Sequence, residues 1–425
     1  MALSYSNGDR EQPRRAVVTG IGVITPNGLT IEDFWQNIKG GISAAAPISR
    51  FDASKLPVRI AAEVKGFALS NYVQDVKEKR LERTVQYALG AGASAIKDSG
   101  LDLSQMEPDR AGVVEGTTLS GTSSAIKSHY TYMTEKSLRS LHPYNLIGSY
   151  CGEGSSSISL YLGINGPVMT WCSGCASGND AIGYGAKMVV QDELDVCISG
   201  GSDEIIEIQH LGLCKLRTMS EHNDDPRRAM RPFDRHRDGF VLGEGSAFVV
   251  IEEMSHAKAR GAKIYAEIMG HGRTAEAYHP TDPHPDGIGY KSALKRAFRN
   301  ARMHPEEIDY INAHGSATPR NDPIETAAIK EIFGSHARRL AISGTKAMTG
   351  HMMGASGAVE SVISILAVKN QEMPPTINLT DPADGCDLDY VVPKSRPYPI
   401  RAAVNLNAGF GGRYSALILK PFDQS

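Results

Sequence analysis

One pattern dominates this sequence: short runs rich in β-branched residues alternate with longer stretches of helical periodicity, and the order occurs in both halves. An alternation of this kind predicts an α/β protein whose sheet carries helices on both faces. Glycine supplies 43 of the 425 residues, about 10% against a usual 7% or so, so many turns must be tight. We predict strands at residues 15–19, 111–115, 167–170, 195–199, 264–269 and 308–313, and helices at 31–38, 81–97, 175–190, 289–298 and 355–368.

Small and capping residues set the predicted boundaries of these elements. Thr30 stands where the N-cap of the first helix is expected, and Gly100 follows the second helix as a stop signal. Glycine also punctuates strands. We therefore expect glycine pairs to end the first strand of each half, at Gly20 and Gly22 and at Gly270 and Gly272.

Two short internal similarities indicate that the halves are related. Cys175-Ala176-Ser177-Gly178 opens a predicted helix in the first half, and Gly354-Ala355-Ser356-Gly357 opens one in the second. The segment 114–118 likewise resembles the segment 313–318. Their shared order predicts an internal duplication. We expect a flexible arm at 1–13, a first half at 14–256 and a second half at 257–425.

Composition excludes several classes of function. The 45 Lys plus Arg and 48 Asp plus Glu leave a net charge of −3, and their mixing argues against a nucleic-acid-binding tract or a polybasic membrane patch. No run of 18 apolar residues occurs and the first dozen residues are polar, so we expect neither a membrane span nor a signal peptide. Six cysteines, mostly in apolar or Gly-rich stretches, are typical of reduced thiols in a cytoplasmic enzyme.

Cys175 is the first candidate for chemistry. A strand runs into a tight turn of small residues and then a helix, which places Cys175 at the predicted helix N-terminus, where the dipole favours thiolate over thiol. The alternative is a small buried residue. Cys172 completes a C-x-x-C, but no second Cys/His pair with zinc-ligand spacing is apparent. A redox disulfide between the two remains open.

His314 is the second candidate. It follows a predicted buried strand and precedes Ser316 and Thr318, and the next helix carries Asp322 and Glu325. A lone histidine is more often structural than catalytic. Because α/β sheets assemble their sites at the carboxyl ends of strands, this position favours a functional residue.

Lys346 and His351 form the third candidate group, in a Gly-rich loop between a strand and an Ala-rich helix. Each alone could be a solvated side chain. Together with Cys175 and His314 they supply a nucleophile, two hydrogen-bond donors and a positive charge. That set is suited to acyl transfer on a thioester.

The segment Asn407 to Ser415 is rich in glycine, which lets backbone N–H groups turn into a site. One such group could serve an oxyanion hole, and Phe410 could act as a gate. The alternative is an ordinary hairpin turn. The charged region 224–245 is interpreted as structural.

Several motifs, in this order along nearly the whole chain, resemble those of the β-ketoacyl-acyl carrier protein synthases: the Cys175 segment, Pro232-Phe233-Asp234, Gly243-Glu244-Gly245, Asn312 to Gly315, Lys346 to Gly357 and Gly409 to Gly412. Asp180, residues 321–326, residues 386–390 and the final glycines are most similar to catalytic ketosynthase chains of type II polyketide synthases. The fatty-acid enzymes usually have histidine at position 180 and phenylalanine at 408, where this chain has Asp180 and Ala408. These departures bear on the shape of the acyl pocket.

The resemblance implies a thiolase-like fold, in which duplicated α/β halves form a layered α-β-α-β-α sandwich. It also implies an acyl carrier protein as partner, and a dimer, either a homodimer or a heterodimer with a chain-length-factor-like homologue. No cofactor is expected, because the carrier protein brings its own phosphopantetheine.

The resemblance further implies a role for each candidate residue. Cys175 would hold the acyl chain, and His314 and His351 would stabilise the enolate formed when malonyl-carrier protein loses carbon dioxide. Lys346 would support the histidines, with Glu325 pairing nearby. The remaining assignments are the backbone N–H groups of Cys175 and Phe410 as the oxyanion hole, Asp322 as a supporting residue, and Ser316 and Thr318 as ligands of the pantetheine arm.

Four alternatives compete with this interpretation. A degradative thiolase needs a second cysteine near the last Gly-rich loop, and none occurs between Val404 and Ser415. A non-catalytic chain-length partner would lack the nucleophile, whereas Cys175 is present. A pure interaction protein is disfavoured by the complete set of four catalytic candidates. A synthase that elongates fatty acids remains the principal alternative to a polyketide enzyme.

Overall fold

The computed structural model describes residues 13–422, so the predicted arm at 1–13 lies outside the described residues except for Pro13. Within that range no helix is long and apolar enough to cross a membrane. The strands are β1 (Ala16–Ile24), β2 (Ala46–Pro47), β3 (Ile60–Ala61), β4 (Ala111–Gly116), β5 (Val168–Trp171), β6 (Val196–Asp203), β7 (Gly245–Glu253), β8 (Ala266–Ala275), β9 (Tyr310–Asn312), β10 (Ala341–Ser343), β11 (Glu372–Met373), β12 (Asp389–Tyr390), β13 (Arg396–Pro397), β14 (Ala403–Gly409) and β15 (Arg413–Lys420). The α-helices are α1 (Ile31–Lys39), α2 (Arg83–Ser99), α3 (Thr122–Glu135), α4 (Asn145–Gly148), α5 (Glu153–Leu162), α6 (Ser177–Val190), α7 (Glu207–Leu216), α8 (Pro226–Ala229), α9 (Met254–Ala259), α10 (Ile288–Ala301), α11 (Asn321–Phe333), α12 (Lys346–Thr349) and α13 (Ser356–Asn370).

The main sheet repeats one topology. Its strand order is β12-β10-β9-β14-β15-β8-β1-β7-β6-β4-β5. The first half contributes β5-β4-β6-β7-β1 and the second contributes β10-β9-β14-β15-β8, so the strands of each half follow the same path. The halves meet where β1 pairs antiparallel with β8. The predicted duplication is confirmed, while the boundary between 256 and 257, which falls inside α9, stays a prediction.

The helices form layers around this sheet. The middle layer consists of α6 and α13, which pack on each other and contact strands of both halves. On the outer faces, α2 packs on β1, β6 and β7, and α10 packs on β8 and β15. Every residue of α13 from Ser356 to Val368 is buried, as expected for a helix with no solvent face. The predicted α-β-α-β-α order is therefore present.

The prediction that glycine pairs end the first strand of each half is wrong. β1 continues through Gly20 and Gly22, and β8 continues through Gly270 and Gly272. A Cβ on any of these glycines would approach the backbone of the helix that packs on the strand, which is α2 for β1 and α10 for β8. Glycine in these strands therefore permits close helix packing rather than ending the strand.

Capping residues were more informative about boundaries. The Thr30 hydroxyl accepts a hydrogen bond from the Asp33 N–H, and Gly100 closes α2 in the left-handed conformation at φ +62°. Both predictions are confirmed. The predicted start of the helix at residue 175 is two residues too early. Helix α6 begins at Ser177, and Cys175 lies in the turn before it.

Candidate active site

Cys175 lies in the turn between β5 and α6 and is 4% exposed. Burial raises the pKa of its thiol to about 12, although Lys346 and hydrogen bonds from the backbone N–H groups of Phe410 and Cys175 act to lower it. The prediction that this position favours thiolate over thiol is therefore wrong. Desolvation of a charged sulfur outweighs the dipole.

The last hairpin of the chain packs against this turn. Gly174 has a left-handed backbone at φ +64°, and a Cβ on Gly409 would lie 2.8 Å from the Cys175 nitrogen. Only a glycine at 409 lets the two backbones approach this closely. The Gly-rich segment is thus the β14–β15 hairpin connection, and it also brings the Phe410 N–H to the sulfur.

His314 lies two residues after the end of β9. Its backbone N–H donates to Glu325 Oε1 at 2.7 Å, and the Gly315 N–H donates to Glu325 Oε2 at 2.9 Å. Burial holds the pKa of the His314 imidazole well below its usual range, and the charge of Lys346 adds to the effect. His314 Nδ1 has no hydrogen-bond partner among the described residues.

His351 faces His314 across the site, with ring centroids 5.6 Å apart and planes at 82°. Burial likewise lowers the pKa of His351 well below its usual range. Its Nδ1 lies 3.2 Å from the Met353 N–H, which can only donate, and 2.9 Å from Ser356 Oγ. In the neutral ring, Nδ1 therefore accepts and Nε2 carries the proton. Phe240 packs edge-on against the ring at 4.9 Å.

Lys346 opens α12 and is buried below the two imidazoles. Its Nζ donates to Glu360 Oε1 at 2.6 Å and to the His314 carbonyl oxygen at 2.7 Å, and the lysine and glutamate side chains are each 1% exposed. The expected pairing with Glu325 is wrong, because both oxygens of Glu325 accept from backbone N–H groups. Glu360 was missed by sequence reasoning. The available signal was a single acid within the otherwise apolar α13.

These groups open onto one cavity. Cys175, His314, His351 and Phe410 all line it, whereas Lys346 lies behind the wall. Two residues of the lining, Arg217 and Arg320, are exposed and mark the mouth of the cavity. The polar lining also includes Ser316 and Thr318, whose hydroxyls are 2.9 Å apart, with Glu276, Asp282 and Asn321.

The region 224–245 is structural only in part. Asp234 accepts hydrogen bonds from the backbone of Thr380 and Asp381 and so anchors a loop. Asp322, a predicted supporting residue, likewise accepts from the Phe233 N–H at 2.8 Å. Phe240, however, lines the cavity and contacts His351. Its role was not visible in the sequence, since an aromatic residue after a glycine is common in buried turns.

No group of three or more His, Cys, Asp or Glu side chains between residues 13 and 422 has an arrangement that could hold a metal ion. Cys172 is exposed while Cys175 is buried, and neither is in a disulfide.

Comparison with known families decides the assignment. Residues 14–257 match the N-terminal domain of beta-ketoacyl synthases, and residues 265–380 match the C-terminal domain. The chain belongs to the β-ketoacyl synthase family. It is a β-ketoacyl-acyl carrier protein synthase, a condensing enzyme of the acyltransferase type.

The relatives of this chain carry two kinds of name. The chain is 42% identical to 3-oxoacyl-[acyl-carrier-protein] synthase 2 of Coxiella burnetii, over 96% of this chain and 99% of that protein. It is 40% identical to putative polyketide beta-ketoacyl synthase 1 of Streptomyces halstedii, over 96% and 98%.

Solved structures of ketosynthases confirm the thiolase-like fold. The ishigamide ketosynthase/chain length factor superposes with a TM-score of 0.90 at 31% identity, over 97% of this chain and 100% of that chain. A type II polyketide synthase acyl carrier protein in complex with its ketosynthase bound to the hexaketide gives a TM-score of 0.90 at 30% identity, with the same coverage.

Proposed function

We propose that this synthase adds a two-carbon unit from malonyl-carrier protein to an acyl chain held on Cys175, as the condensing chain of a type II polyketide synthase. The observation that carries the proposal is one buried cavity that joins a thiol, two neutral imidazoles and two backbone N–H donors. This set supplies a nucleophile, proton carriers and oxyanion donors, which are the requirements of acyl transfer.

Loading is the first step. The Cys175 sulfur attacks the thioester carbonyl of the acyl-carrier protein, and the N–H groups of Cys175 and Phe410, which point at the sulfur, donate to the oxygen as it becomes negative. With a pKa of about 12, the thiol gives up its proton during the attack. A neutral imidazole of the cavity accepts that proton and returns it to the departing pantetheine thiolate.

Extension follows when malonyl-carrier protein replaces the first carrier. Its carboxylate leaves as carbon dioxide and the electron pair forms an enolate, whose oxygen accepts hydrogen bonds from His351 Nε2–H and from His314. The enolate carbon then attacks the Cys175 thioester and the sulfur leaves. The thiolate takes up one proton from solvent, and the β-ketoacyl chain stays on the carrier. Neutral imidazoles suit this step because they donate without titrating near pH 7.

The mouth of the cavity fits the arm of the carrier protein. Ser316 and Thr318 offer hydroxyls to the amides of the pantetheine, and Arg217 places positive charge where its phosphate would enter, whereas Arg320 is ion-paired with Asp282. We propose the carrier protein as the partner at this mouth.

Replacing the nucleophile tests the proposed chemistry. Cys175→Ala should abolish acyl loading and condensation, while decarboxylation of malonyl-carrier protein persists because the two histidines remain. Intact mass spectrometry of the enzyme and release of labelled carbon dioxide measure the two steps. Cys172→Ala, which removes the exposed thiol three residues away, is the matched control and should behave as wild type. Extension of an acyl chain by Cys175→Ala would overturn the assignment.

The polyketide assignment rests on the departures near the nucleophile. Ala408, small where fatty-acid synthases usually have phenylalanine, lines the cavity beside Cys175, as does Tyr414. The extra space suits an acyl chain that carries ketone or conjugated groups. We expect kcat/KM to be higher for such a carrier-bound chain than for a saturated chain of equal length. A preference of tenfold or more for the saturated chain would place the enzyme in fatty-acid elongation and leave the condensing activity intact.

We also propose that a second copy of this chain covers one face of the molecule. Within residues 13–422, β5 ends the main sheet and pairs with β4 alone, which leaves its other edge available to a partner strand. The segment between β4 and β5 also exposes many large apolar side chains, and clustered exposed apolar groups mark interaction surfaces. Its exposed members include Ile126, Tyr130, Met133, Leu138, Tyr144, Leu146, Ile147, Tyr150 and Leu160.

Leu160→Glu tests this interface, because the side chain is 83% exposed and a charge there costs nothing in the monomer. Sedimentation should show a dimer for wild type and a monomer for the variant. Ile208→Glu, on α7 and 53% exposed, is the control and should remain dimeric. A dimer that survives Leu160→Glu would refute the interface. If the wild-type chain is monomeric alone and dimerises only with a homologue that lacks the nucleophile, the partner on this face is that homologue and not a second copy.

A further inference from the structure

A buried aspartate and a partly buried histidine form a pair behind the nucleophile turn and have no part in the steps above. Asp180, in the first turn of α6, is 4% exposed. Its Oδ1 is 3.0 Å from His271 Nε2, on β8. Burial acts to raise the pKa of Asp180, but hydrogen bonding and the charge of His271 outweigh burial and lower the pKa. Because an ionised carboxylate only accepts, His271 donates through Nε2.

The other oxygen of Asp180 holds the turn itself. Ser173 Oγ donates to Asp180 Oδ2 at 2.7 Å, and Ser173 is two residues before Cys175. The same turn is fastened by Ser177 Oγ, which accepts from the Ser173 N–H at 2.9 Å, and by Arg413 Nη1, which donates to the Cys172 carbonyl at 2.9 Å. Of these three hydrogen bonds, the one to Asp180 holds a side chain of the turn, that of Ser173, and its acceptor is an ionised carboxylate.

The surroundings of His271 are shaped to keep the pair in place. A Cβ on Gly183 would overlap the imidazole ring, so the glycine in α6 leaves the space that the ring fills. Ser415 Oγ on β15 lies 3.0 Å from His271 Nε2 and 3.0 Å from Asn179 Nδ2. The pair therefore ties α6 to strands β8 and β15 of the second half, beside the turn that carries the thiol.

We propose that Asp180, oriented by His271, is a positioning residue for the loading step. Through Ser173 it fixes the turn so that the Cys175 sulfur and its two N–H donors share one geometry. The proposal rests on the proposed function, since it concerns the same thiol. It predicts a selective defect, because loading needs this turn whereas malonyl decarboxylation depends on His314 and His351 on other elements. A displacement of about 1 Å in such a turn is enough to cost roughly 100-fold in rate.

Rates of acyl loading and of malonyl decarboxylation, measured separately on the full chain, test the proposal. We expect Asp180→Ala to slow loading by roughly 10- to 100-fold and to leave decarboxylation within about twofold of wild type. Asp180→Asn keeps an oxygen that can accept from Ser173 and should recover most of the loading rate. This rescue by the neutral isostere separates a positional role from an electrostatic one. Loading by Asp180→Asn as slow as by Asp180→Ala would overturn the proposal, as would normal loading by Asp180→Ala.

Two further variants keep the test decisive. If Asp180→Ala does not fold, Ser173→Ala removes the donor side of the same hydrogen bond and should show the same selective loss; normal loading by Ser173→Ala would refute the proposal. Asp309→Ala, which removes a buried carboxylate bonded to Arg401 at the start of β9, controls for general loss of stability and should load normally. A wild-type enzyme that never acquires an acyl group would instead refute the proposed function.

Discussion

Burial governs the protonation of the groups that meet in the cavity. The Cys175 thiol and the His314 and His351 imidazoles are all neutral at pH 7, since their charged forms would lose water without gaining a full counter-charge. Lys346, a buried cation beside them, is matched by Glu360. The site thus carries hydrogen-bond donors rather than free charges, which suits an enolate that must react with a nearby thioester.

The raised thiol pKa predicts how the alkylation of Cys175 depends on pH. Because the thiolate is the reactive form and its folded-state pKa is about 12, the rate should keep rising with pH. No plateau is expected near the ordinary thiol value of roughly 8.5. Peptide mass spectrometry after timed treatment with iodoacetamide separates Cys175 from the exposed Cys151 and Cys172. A plateau at or below pH 8.5 would contradict a neutral resting thiol.

The two histidines should matter more for decarboxylation than for loading. His314→Ala or His351→Ala removes a donor to the enolate oxygen, and we expect carbon dioxide release to fall by roughly 100-fold while loading falls less, because one imidazole remains to carry the thiol proton. Stopped-flow loading and a carbon dioxide assay measure the two rates. His304→Ala, an exposed histidine remote from the cavity, is the control. Unchanged carbon dioxide release with slow loading would reverse the assigned roles.

At the scale of elements, α13 combines packing with electrostatics. It is buried on all sides, and its single acid, Glu360, accepts from Lys346 Nζ and from Asn407 Nδ2, each at 2.6 Å. A buried ion pair adds little net stability, but breaking one side is costly, because the remaining charge is left in a dry interior. The helix therefore fixes the lysine on which the His314 backbone depends.

Glu360→Gln should lower the free energy of unfolding by about 3–5 kcal/mol, because it strands the Lys346 charge. Glu331→Gln is the matched control, since it breaks an exposed helix ion pair with Lys291 that is worth at most about 1 kcal/mol. Urea unfolding of the two variants and wild type measures the difference. Equal destabilisation by the two substitutions would show that the buried pair carries no special cost.

Elements with strong local signals were predictable from sequence. The N-cap at Thr30 and the stop at Gly100 are set by backbone chemistry within a few residues. Catalytic candidates were predictable because Cys175 and His314 each follow a strand of the repeated topology. Glu360 was not, since its partner is 14 residues away on another element. The protonation of the thiol was not either, because sequence shows a helix start but not the depth of burial.

At the scale of the whole molecule, buried acids make stability depend on pH. Glu115, at the end of β4, is fully buried, and Ser202 donates to one of its oxygens while Oε2 has no partner among the described residues. Burial raises the pKa of Glu115 to about 8. The folded chain keeps this proton up to about pH 8 while the unfolded chain loses it near 4.3, so the carboxyl group disfavours folding increasingly across that window.

Glu115→Gln should therefore gain stability relative to wild type as the pH rises from about 4.5 to 8, by a few kcal/mol over the window. The amide keeps a neutral side chain at every pH, whereas the wild-type carboxyl must stay protonated in the folded state. Urea unfolding of both proteins at pH 5 and pH 8 measures the change, with Glu331→Gln as the control for an exposed position. The same difference at both pH values would contradict a raised pKa at Glu115.

The placement of β15 has a consequence for biosynthesis. This strand is made after every other described strand, yet it lies inside the sheet between β14 and β8, and the hairpin that leads into it delivers the Phe410 N–H to the sulfur. During translation the sheet therefore stays open, and the Cys175 thiol lacks the Phe410 N–H, until the residues near 420 have been made. We therefore expect a truncated product lacking that hairpin to be inert toward acyl donors, because it has neither a closed sheet nor the Phe410 N–H at the sulfur.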